Sequence, residues 1–226
     1  FRYKKFLSLI EHDSTISEKI KIYLSCHERD RVPDQEKLFT KKANFSWKSI
    51  YESLTPFFDN SLSPLEQVFL ADYNGKLLYN FNPINSRIIN GFDMEMLAPI
   101  LNEELLSLGP HIPKHYKYDE DNNIGKLPLR TILKQSNHYS LVTKQKLGFN
   151  VDTTNLWKSY GHDLCKEFLD NSRIVQDGWL NKDWILKYID NPELDVKYIN
   201  KFLGLLALEI WFRIFITKEM SGHESL

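Results

Sequence analysis

The sequence predicts a mainly α-helical protein, and three observations carry that prediction. Apolar residues recur at helical spacing in several segments of the 226-residue chain, capping residues precede those segments, and strand signals are few. Hydrophobic residues make up 42% of the chain and the formal net charge is −1, a composition that favours a folded core over disorder. A charge so close to zero also lacks the basic excess that binds nucleic acid, so we expect no nucleic-acid partner.

The first strong helix signal begins at Ser63, which is followed by Pro64 and Glu66. A serine N-cap, a proline at the first helical position and a glutamate at the third are typical of a helix start. The pair Thr55-Pro56 is a weaker helix start or a turn. Between the helical segments we expect loops over Asn80–Asn90, Gly109–Lys114 and Asp119–Gly125.

Two later helices are indicated, one with Asp152 as its N-cap and one in which Asn181 precedes apolar residues at helical spacing. The second of these helices is expected to stop near Asn191-Pro192. Strand evidence is thin, and Tyr139–Thr143 is the segment that best fits one short strand. A domain boundary near residue 60 is the alternative, but the sequence favours one mainly helical unit over residues 1–226.

The final helix is predicted within Leu194–Lys218. It is apolar on nearly all sides between Phe202 and Ile216, so we expect it to be buried. Glu209 and Arg213 lie four residues apart, the spacing of an ion pair on one helical face. This apolar run has 15 residues, fewer than the roughly 20 that span a bilayer, so no membrane association is expected.

The cysteines and the first residues indicate the cellular compartment. Cys26 and Cys165 lie far apart and form neither a CxxC pair nor a metal-ligand spacing, which favours a reducing compartment. No signal peptide is apparent after Phe1, because charged residues interrupt the early apolar ones. We therefore expect a cytoplasmic protein and interpret Phe1 as the start of a fragment, with something functional upstream.

Three groups of side chains have the composition of chemical sites but are more simply explained as structural or solvated residues: His111 with His115, His162 with Cys165, and Asp119-Glu120-Asp121. The histidine pair has the spacing of helical metal ligands, but prolines interrupt the helix that this spacing requires. No acidic orienter is fixed by the sequence for the cysteine and histidine, and a run of exposed carboxylates is usually solvated. The sequence therefore predicts no metal site.

The segment Gly125–Arg130 contains the strongest candidate for chemistry. Pro128 suits the first turn of a helix that runs to about Gln135, with Leu127 as a poor N-cap whose side chain accepts no hydrogen bond. Such a helix exposes unsatisfied N–H groups and the positive end of its dipole. Lys126 just before it and Arg130 near the same face would complete an anion site, although an exposed loop lysine is the simpler alternative.

No phosphate-binding loop is recognisable in this chain. Its nine glycines stand singly, and neither GxGxxG, GxxxxGK[ST] nor Ser-Gly-Gly-x-Asp-Ser occurs. Any triphosphate would therefore have to be gripped mainly by residues outside this sequence.

The order of several motifs resembles the C-terminal part of the synthetase domain of glutamine-hydrolysing asparagine synthases, over roughly residues 62 to 216. That family tends to show Glu-x-Arg-x-Pro-Phe-Leu-Asp, Lys-x-x-Leu-Arg, Arg-x-Lys-x-Gly-Phe and then tryptophan-containing segments. The corresponding segments here are Glu95–Asn102, Lys126–Arg130, Lys144–Phe149 with Trp157, Gly178-Trp179-Leu180, and Leu205–Arg213. The departures from the family pattern are Leu97 and Asn102, in place of Arg and Asp, and Lys144, in place of Arg.

The resemblance implies the helical C-terminal portion of an α/β adenine-nucleotide α-hydrolase-like (ATP pyrophosphatase) domain, whose glutaminase domain and pyrophosphate loop lie upstream. It implies ATP and Mg²⁺ as cofactors, with aspartate and glutamine-derived ammonia as the other substrates. The aspartate side chain would be adenylated and ammonia would displace AMP to give asparagine. The family's catalytic lysine matches Lys126, and Arg130 and Lys146 become candidates for binding the substrate or nucleotide.

Three further expectations concern partners and activity. The isolated chain is predicted to be inactive and to need the upstream part of the same protein or a partner chain, and a homodimer is compatible with the sequence. The alternative function is a non-catalytic helical interaction or regulatory module derived from the same fold, which the departures at Leu97 and Asn102 favour. A sulfur- or amide-forming relative that uses another acyl substrate is also left open.

Overall fold

A computed structural model describes residues 2–26, 31–142, 152–191 and 193–222, and these residues are mainly helical, as predicted. The chain divides into two compact units. The first comprises Phe1–His27 and Lys48–Lys146, and the second comprises Glu28–Trp47 and Leu147–Leu226. The prediction that residues 1–226 form a single region stays a prediction, because the division of the structure into two compact units does not test it.

The first unit packs its helices around a core of Phe6, Ile20, Tyr23, Phe58, Val68 and Ala71. Its α-helices are α1 (Arg2–Leu9), α2 (Ile16–Ser25), α3 (Trp47–Phe58), α4 (Pro64–Ala71), α5 (Asn82–Asn90), α6 (Glu103–His111), α7 (Lys114–Lys117) and α8 (Leu127–Gln135). Strands β1 (Tyr118–Asp119) and β2 (Ile124–Gly125) form an antiparallel hairpin that leads into α8. Short 3₁₀ turns cover Pro99–Leu101 and Tyr139–Leu141.

The helix start at Ser63 is confirmed. The Glu66 carboxylate accepts hydrogen bonds from the backbone N–H of Ser63 at 3.0 Å and from its hydroxyl, and Pro64 begins α4. These bonds hold the pKa of Glu66 below its ordinary value, helped by the nearby charges of Lys114 and Lys117. The local pattern was therefore sufficient to place this helix.

The loop predicted over Asn80–Asn90 is wrong, because a π-helix over Asp72–Phe81 continues directly into α5. Pro83 lies next to the change from π to α hydrogen bonding, where a residue without an N–H is tolerated. Leu77, Phe81, Ile84 and Ile88 then follow one another at helical spacing and stay solvent-exposed. Their apolar stripe favours a helix more strongly than the proline and asparagine residues favour a loop.

Three smaller expectations for this unit also need correction. The stretch Gly109–Lys114 is not all loop, because α6 continues to His111 and α7 begins at Lys114. The stretch Asp119–Gly125 is the β1–β2 hairpin. The short strand expected at Tyr139–Thr143 is a 3₁₀ turn over its described residues, with the Leu141 N–H donating to His138 at 3.1 Å.

The second unit has a core of aromatic and aliphatic side chains that includes Trp157, Trp184, Ile199 and Phe202. Its helices are α9 (Thr153–Leu156), a π-helix (Trp157–Gly161), α10 (His162–Asp170), α11 (Arg173–Gln176), α12 (Lys182–Ile189) and α13 (Val196–Phe215). The N-cap predicted at Asp152 is confirmed, since its side chain accepts from the Asn155 N–H at 3.0 Å. The helix predicted after Asn181 is also present, and the Asn181 side chain caps it by accepting from the Asp183 N–H at 3.0 Å.

Residues 31–47 join this unit through backbone pairing. Phe39 and Leu180 form an antiparallel bridge. The Thr40 N–H donates to the Trp179 carbonyl at 3.1 Å, and the Asn181 N–H donates to the Leu38 carbonyl at 2.8 Å. The side chain of Leu38 is fully buried, so this segment contributes to the core as well.

The final helix differs from the prediction in one respect. Phe202 and Glu209 on α13 are fully buried, but Trp211 and Phe215 are 47% and 61% exposed, so only one face of the helix is covered. The Glu209–Arg213 ion pair is confirmed, with 2.7 Å between Nε and Oε1. Among the described residues, no helix is long and apolar enough to cross a membrane.

Candidate functional site

Lys126 lies between β2 and α8 and adopts a left-handed backbone conformation, with φ 61° and ψ 37°. It is the N-cap of α8, which corrects the prediction of Leu127, because the first helical hydrogen bond runs from the Arg130 N–H to the Lys126 carbonyl at 3.1 Å. The side chain of Lys126 is exposed and makes no capping bond. The helix end at Gln135 agrees with the sequence prediction.

Arg130 is brought to the same turn as Lys126. Its Nε–H donates to the Gly125 carbonyl oxygen at 2.9 Å, and the side chain is partly buried. The structure therefore places two of the three candidate site residues together at the start of α8. Lys146, the third candidate, and the Lys144–Phe149 motif around it lie outside the described residues.

The β1–β2 hairpin that carries Lys126 is anchored by Tyr118. This ring is buried and makes edge-to-face contacts with Tyr3 and Phe69, at centroid distances of 5.6 and 6.4 Å. Its hydroxyl donates to the Asn123 side chain, and burial raises its pKa. Because Tyr118 pairs with Gly125 across the hairpin, the residue before Lys126 is tied to the core of the first unit.

Two carboxylates of the acidic triplet in the hairpin turn make local contacts. Asp119 accepts hydrogen bonds from Asn122, from the backbone N–H at 3.0 Å and from the side-chain amide at 2.8 Å, and these bonds lower its pKa. Glu120 forms an ion pair with Lys114 at 3.1 Å. Nowhere in the described parts of the chain do three or more His, Cys, Asp or Glu side chains form a group able to hold a metal ion.

The two histidines in the α6–α7 segment have separate environments. His111 is the last residue of α6, whereas His115 belongs to α7 and contacts the Tyr116 ring in a tilted arrangement, with 4.2 Å between the ring centroids. Ile112 and Pro113 interrupt the helix between them, as the prolines in the sequence indicated.

Cys165 is fully buried, and burial raises the pKa of its thiol to about 12. A thiol with that pKa supplies almost no thiolate at neutral pH, which is inconsistent with a nucleophile. His162, three residues earlier, directs Nε2 to the Ile189 carbonyl oxygen at 2.7 Å. Both side chains are therefore explained by the packing and hydrogen bonding of the second unit.

The two departures in the first motif have different surroundings. Leu97 is 80% exposed. Asn102, in contrast, is the N-cap of α6, and its Oδ1 accepts from the Leu105 N–H at 2.8 Å. Asparagine and aspartate cap helices about equally well, so the replacement at this position preserves the helix start. Sequence analysis missed this cap, although Glu103 and Glu104 after Asn102 are a typical first-turn signal.

The comparisons with known proteins agree with the resemblance in the motif order. The family model described as asparagine synthase matches residues 9–213, which includes parts of both units. Because this match covers most of the chain, the protein belongs to the asparagine synthase family. The match begins well before residue 62, where the motif resemblance starts. Searches of curated proteins and of solved structures each found no match.

Proposed function

We propose that this chain is the helical C-terminal region of an ATP-dependent amidotransferase. In this reaction the side-chain carboxylate of aspartate attacks the α-phosphate of ATP and releases pyrophosphate. Ammonia from glutamine then displaces AMP from the acyl-adenylate to give asparagine. Membership of the asparagine synthase family over residues 9–213 is the observation that carries the proposal.

Lys126 is proposed as the catalytic residue that meets negative charge as the adenylate forms. An exposed ammonium group directly before a helix N-terminus combines a full positive charge with the positive end of the helix dipole. A cation held in place contributes most where charge develops in the transition state. The left-handed conformation of Lys126 supports this assignment, because strained residues are often retained at functional sites.

Arg130 and Lys146 are proposed to contact the nucleotide or the substrate. One nitrogen of Arg130 is used by the Gly125 carbonyl, which leaves the terminal guanidinium nitrogens to face an anion. ATP would be gripped mainly by a pyrophosphate loop outside this sequence. The described residues offer no carboxylate set that fits Mg²⁺, so we assign no step of the reaction to a metal held by this chain.

The remaining parts of the proposal follow from the family. We propose that residues 1–226 act as one region, together with an upstream part of the same protein or a partner chain. Small-molecule substrates, a cytoplasmic location and a homodimer are compatible with it. We propose that the acid that is amidated is chosen largely by residues outside this chain.

The test uses Lys126→Ala in a protein in which this region is joined to an ATP-binding half. We expect kcat and kcat/KM for asparagine formation to fall together by about 10²–10³-fold, the loss typical of one oxyanion-stabilising donor. Lys134→Ala removes an exposed lysine from the other end of α8 and is the matched control. Undiminished asparagine formation in Lys126→Ala would remove this lysine from the site.

The alternative is a helical interaction module that has kept the fold and lost the reaction. Two observations favour it: Leu97 is exposed at the family's arginine position, and the stripe Leu77, Phe81, Ile84 and Ile88 is available for a partner. The coding sequence before Phe1 separates the two functions. A Ser-Gly-Gly-x-Asp-Ser loop in the same frame supports the enzyme, and a start codon directly before Phe1 supports the module.

A further inference from the structure

Lys126 adopts the left-handed conformation although a glycine, for which that conformation has no steric cost, stands next to it at position 125. A residue with a Cβ is disfavoured there, because its Cβ approaches the following carbonyl oxygen. The backbone around Lys126 must therefore be held by other contacts. Two such contacts are present, and both come from Arg130.

The first contact fixes the peptide group before Lys126. The Nε–H of Arg130 donates to the Gly125 carbonyl oxygen at 2.9 Å. This carbonyl belongs to the peptide plane whose rotation about the N–Cα bond of Lys126 defines φ. The same glycine pairs with the buried Tyr118 across the hairpin, so the residue that carries this carbonyl is tied to the core.

The second contact fixes the peptide group after Lys126. The backbone N–H of Arg130 donates to the Lys126 carbonyl oxygen at 3.1 Å, as the first hydrogen bond of α8. This carbonyl belongs to the plane that defines ψ. One residue thus holds the peptide planes on both sides of Lys126, through its side chain and its backbone.

We propose that Arg130 is a positioning residue, which holds Lys126 in the left-handed conformation and so keeps its ammonium group at one place before α8. The chemical use of that ammonium group rests on the proposed function, but the conformational role of Arg130 does not. Arg130 therefore acts through Lys126, in addition to any contact of its terminal nitrogens with an anion.

The experiment compares Arg130→Met, Arg130→Lys and Lys134→Met in the isotope-labelled 226-residue chain. Methionine keeps much of the aliphatic side chain of Arg130 and removes the donor, whereas lysine restores a donor of similar reach. Lys134→Met removes the same charge from the same helix, at a position without a contact to Gly125. The HN–Hα coupling and the Cα chemical shift of Lys126 report its φ angle.

We expect the left-handed population of Lys126 to fall severalfold in Arg130→Met, to be largely retained in Arg130→Lys and to be unchanged in Lys134→Met. An unchanged φ of Lys126 in Arg130→Met overturns the proposal. If the hairpin signals of Tyr118 and Ile124 are lost in Arg130→Met, Lys126→Gly is introduced into the same variant and the double variant is measured. Glycine adopts the left-handed conformation freely, so recovery of the hairpin supports the proposal and failure to recover overturns it.

A titration with inorganic pyrophosphate, followed at the Lys126 amide, separates this proposal from the proposed function. We expect Arg130→Met to weaken binding several times more than Lys134→Met, although both lose one charge. Equal weakening means that Arg130 acts only as a charge and contradicts its positioning role. Absence of binding to every chain, the unaltered one included, would count against the proposed anion contact of Lys126, while the φ angles still decide the role of Arg130.

Discussion

Glu209 and Arg213 form an ion pair at 2.7 Å in which the carboxylate side chain is fully buried. The carboxylate also accepts hydrogen bonds from the Ser172 hydroxyl at 2.6 Å and from the backbone N–H groups of Arg173 at 2.8 Å and Ile174 at 3.2 Å. It therefore satisfies the first N–H groups of α11 while it holds Arg213. A buried charge with this many partners stabilises a structure only as long as all of them remain.

We predict that Glu209→Ala lowers the free energy of unfolding by roughly 3–5 kcal/mol, because Arg213 and the N–H groups of α11 lose their acceptor. Glu193→Ala removes a carboxylate from the exposed Lys158–Glu193 pair and should cost at most about 1 kcal/mol. Urea unfolding followed by tryptophan fluorescence measures both values. Similar losses in the two variants would show that the buried network contributes little.

The hydrogen bonds between Ser63 and Glu66 at the start of α4 predict that the stability of the chain depends on pH. Hydrogen bonds from Ser63 lower the pKa of Glu66 from its ordinary value of 4.5. A carboxylate with a lowered pKa in the folded state contributes stability above pH 4.5, and this contribution is lost as the pH falls through the lowered pKa. The difference in urea midpoint between the unaltered chain and Glu66→Gln should therefore be largest near neutral pH and shrink below about pH 4.5. A difference that is constant across this range would contradict the prediction.

The left-handed conformation predicts opposite effects of glycine at two lysines. Lys126→Gly should raise the free energy of unfolding by about 1 kcal/mol, since it removes the steric cost of a positive φ. Lys134→Gly, inside α8, should lower it by about 1 kcal/mol, because glycine is a poor helix former. Thermal and urea unfolding of both variants supply the comparison. A destabilised Lys126→Gly would mean that this backbone carries no strain.

The two cysteines should differ in reactivity. Cys165 is fully buried with a pKa raised to about 12, whereas Cys26 is partly exposed. We expect an alkylating reagent at neutral pH to modify Cys26 alone in the folded chain and both cysteines in urea. Mass spectrometry of the modified peptides checks this expectation. Rapid modification of Cys165 in the folded chain would contradict the burial of its side chain.

The 226-residue chain by itself should show only background ATP–pyrophosphate exchange in the presence of aspartate. Adenylation needs a triphosphate gripped by backbone N–H groups and a metal ion, and a single lysine does not replace them. Addition of the ATP-binding half of the protein should restore exchange. Clear exchange by the chain alone would indicate a nucleotide site that the motifs do not reveal.

The sequence predicted the parts of this structure that depend on neighbouring residues. Ser63 and Asp152 were placed as N-caps because capping is decided within four residues. The same locality explains the failure at Asn80–Asn90, where Pro83 and several asparagines indicated a loop. The helical spacing of Leu77, Phe81, Ile84 and Ile88 indicated a helix there, and only the change from π to α hydrogen bonding has no sequence signature of its own.

The positions of Lys126 and Arg130 along the chain relative to α8 were predicted, but the geometry around them was not. Lys126 and Arg130 were identified from their position before and within α8. The hydrogen bond from Arg130 to Gly125 was not predicted, because it requires the left-handed turn at Lys126 and the hairpin that precedes it. Neither feature follows from residue spacing, and the hairpin has only two residues in each strand.

The second unit is built from two stretches of chain that are far apart in sequence, and this constrains the order in which the chain can fold during synthesis. The Asp34 carboxylate accepts a hydrogen bond from the Tyr188 hydroxyl, 154 residues further along the chain. At roughly 5–20 residues per second, the ribosome needs on the order of ten seconds to supply that tyrosine. During this interval residues 31–47 lack their contacts with the later part of the second unit, while the intervening residues of the first unit have already emerged. The apolar side chains of Val32 and Leu38, fully buried at the end, are therefore the ones that a nascent-chain chaperone would meet first in this unit.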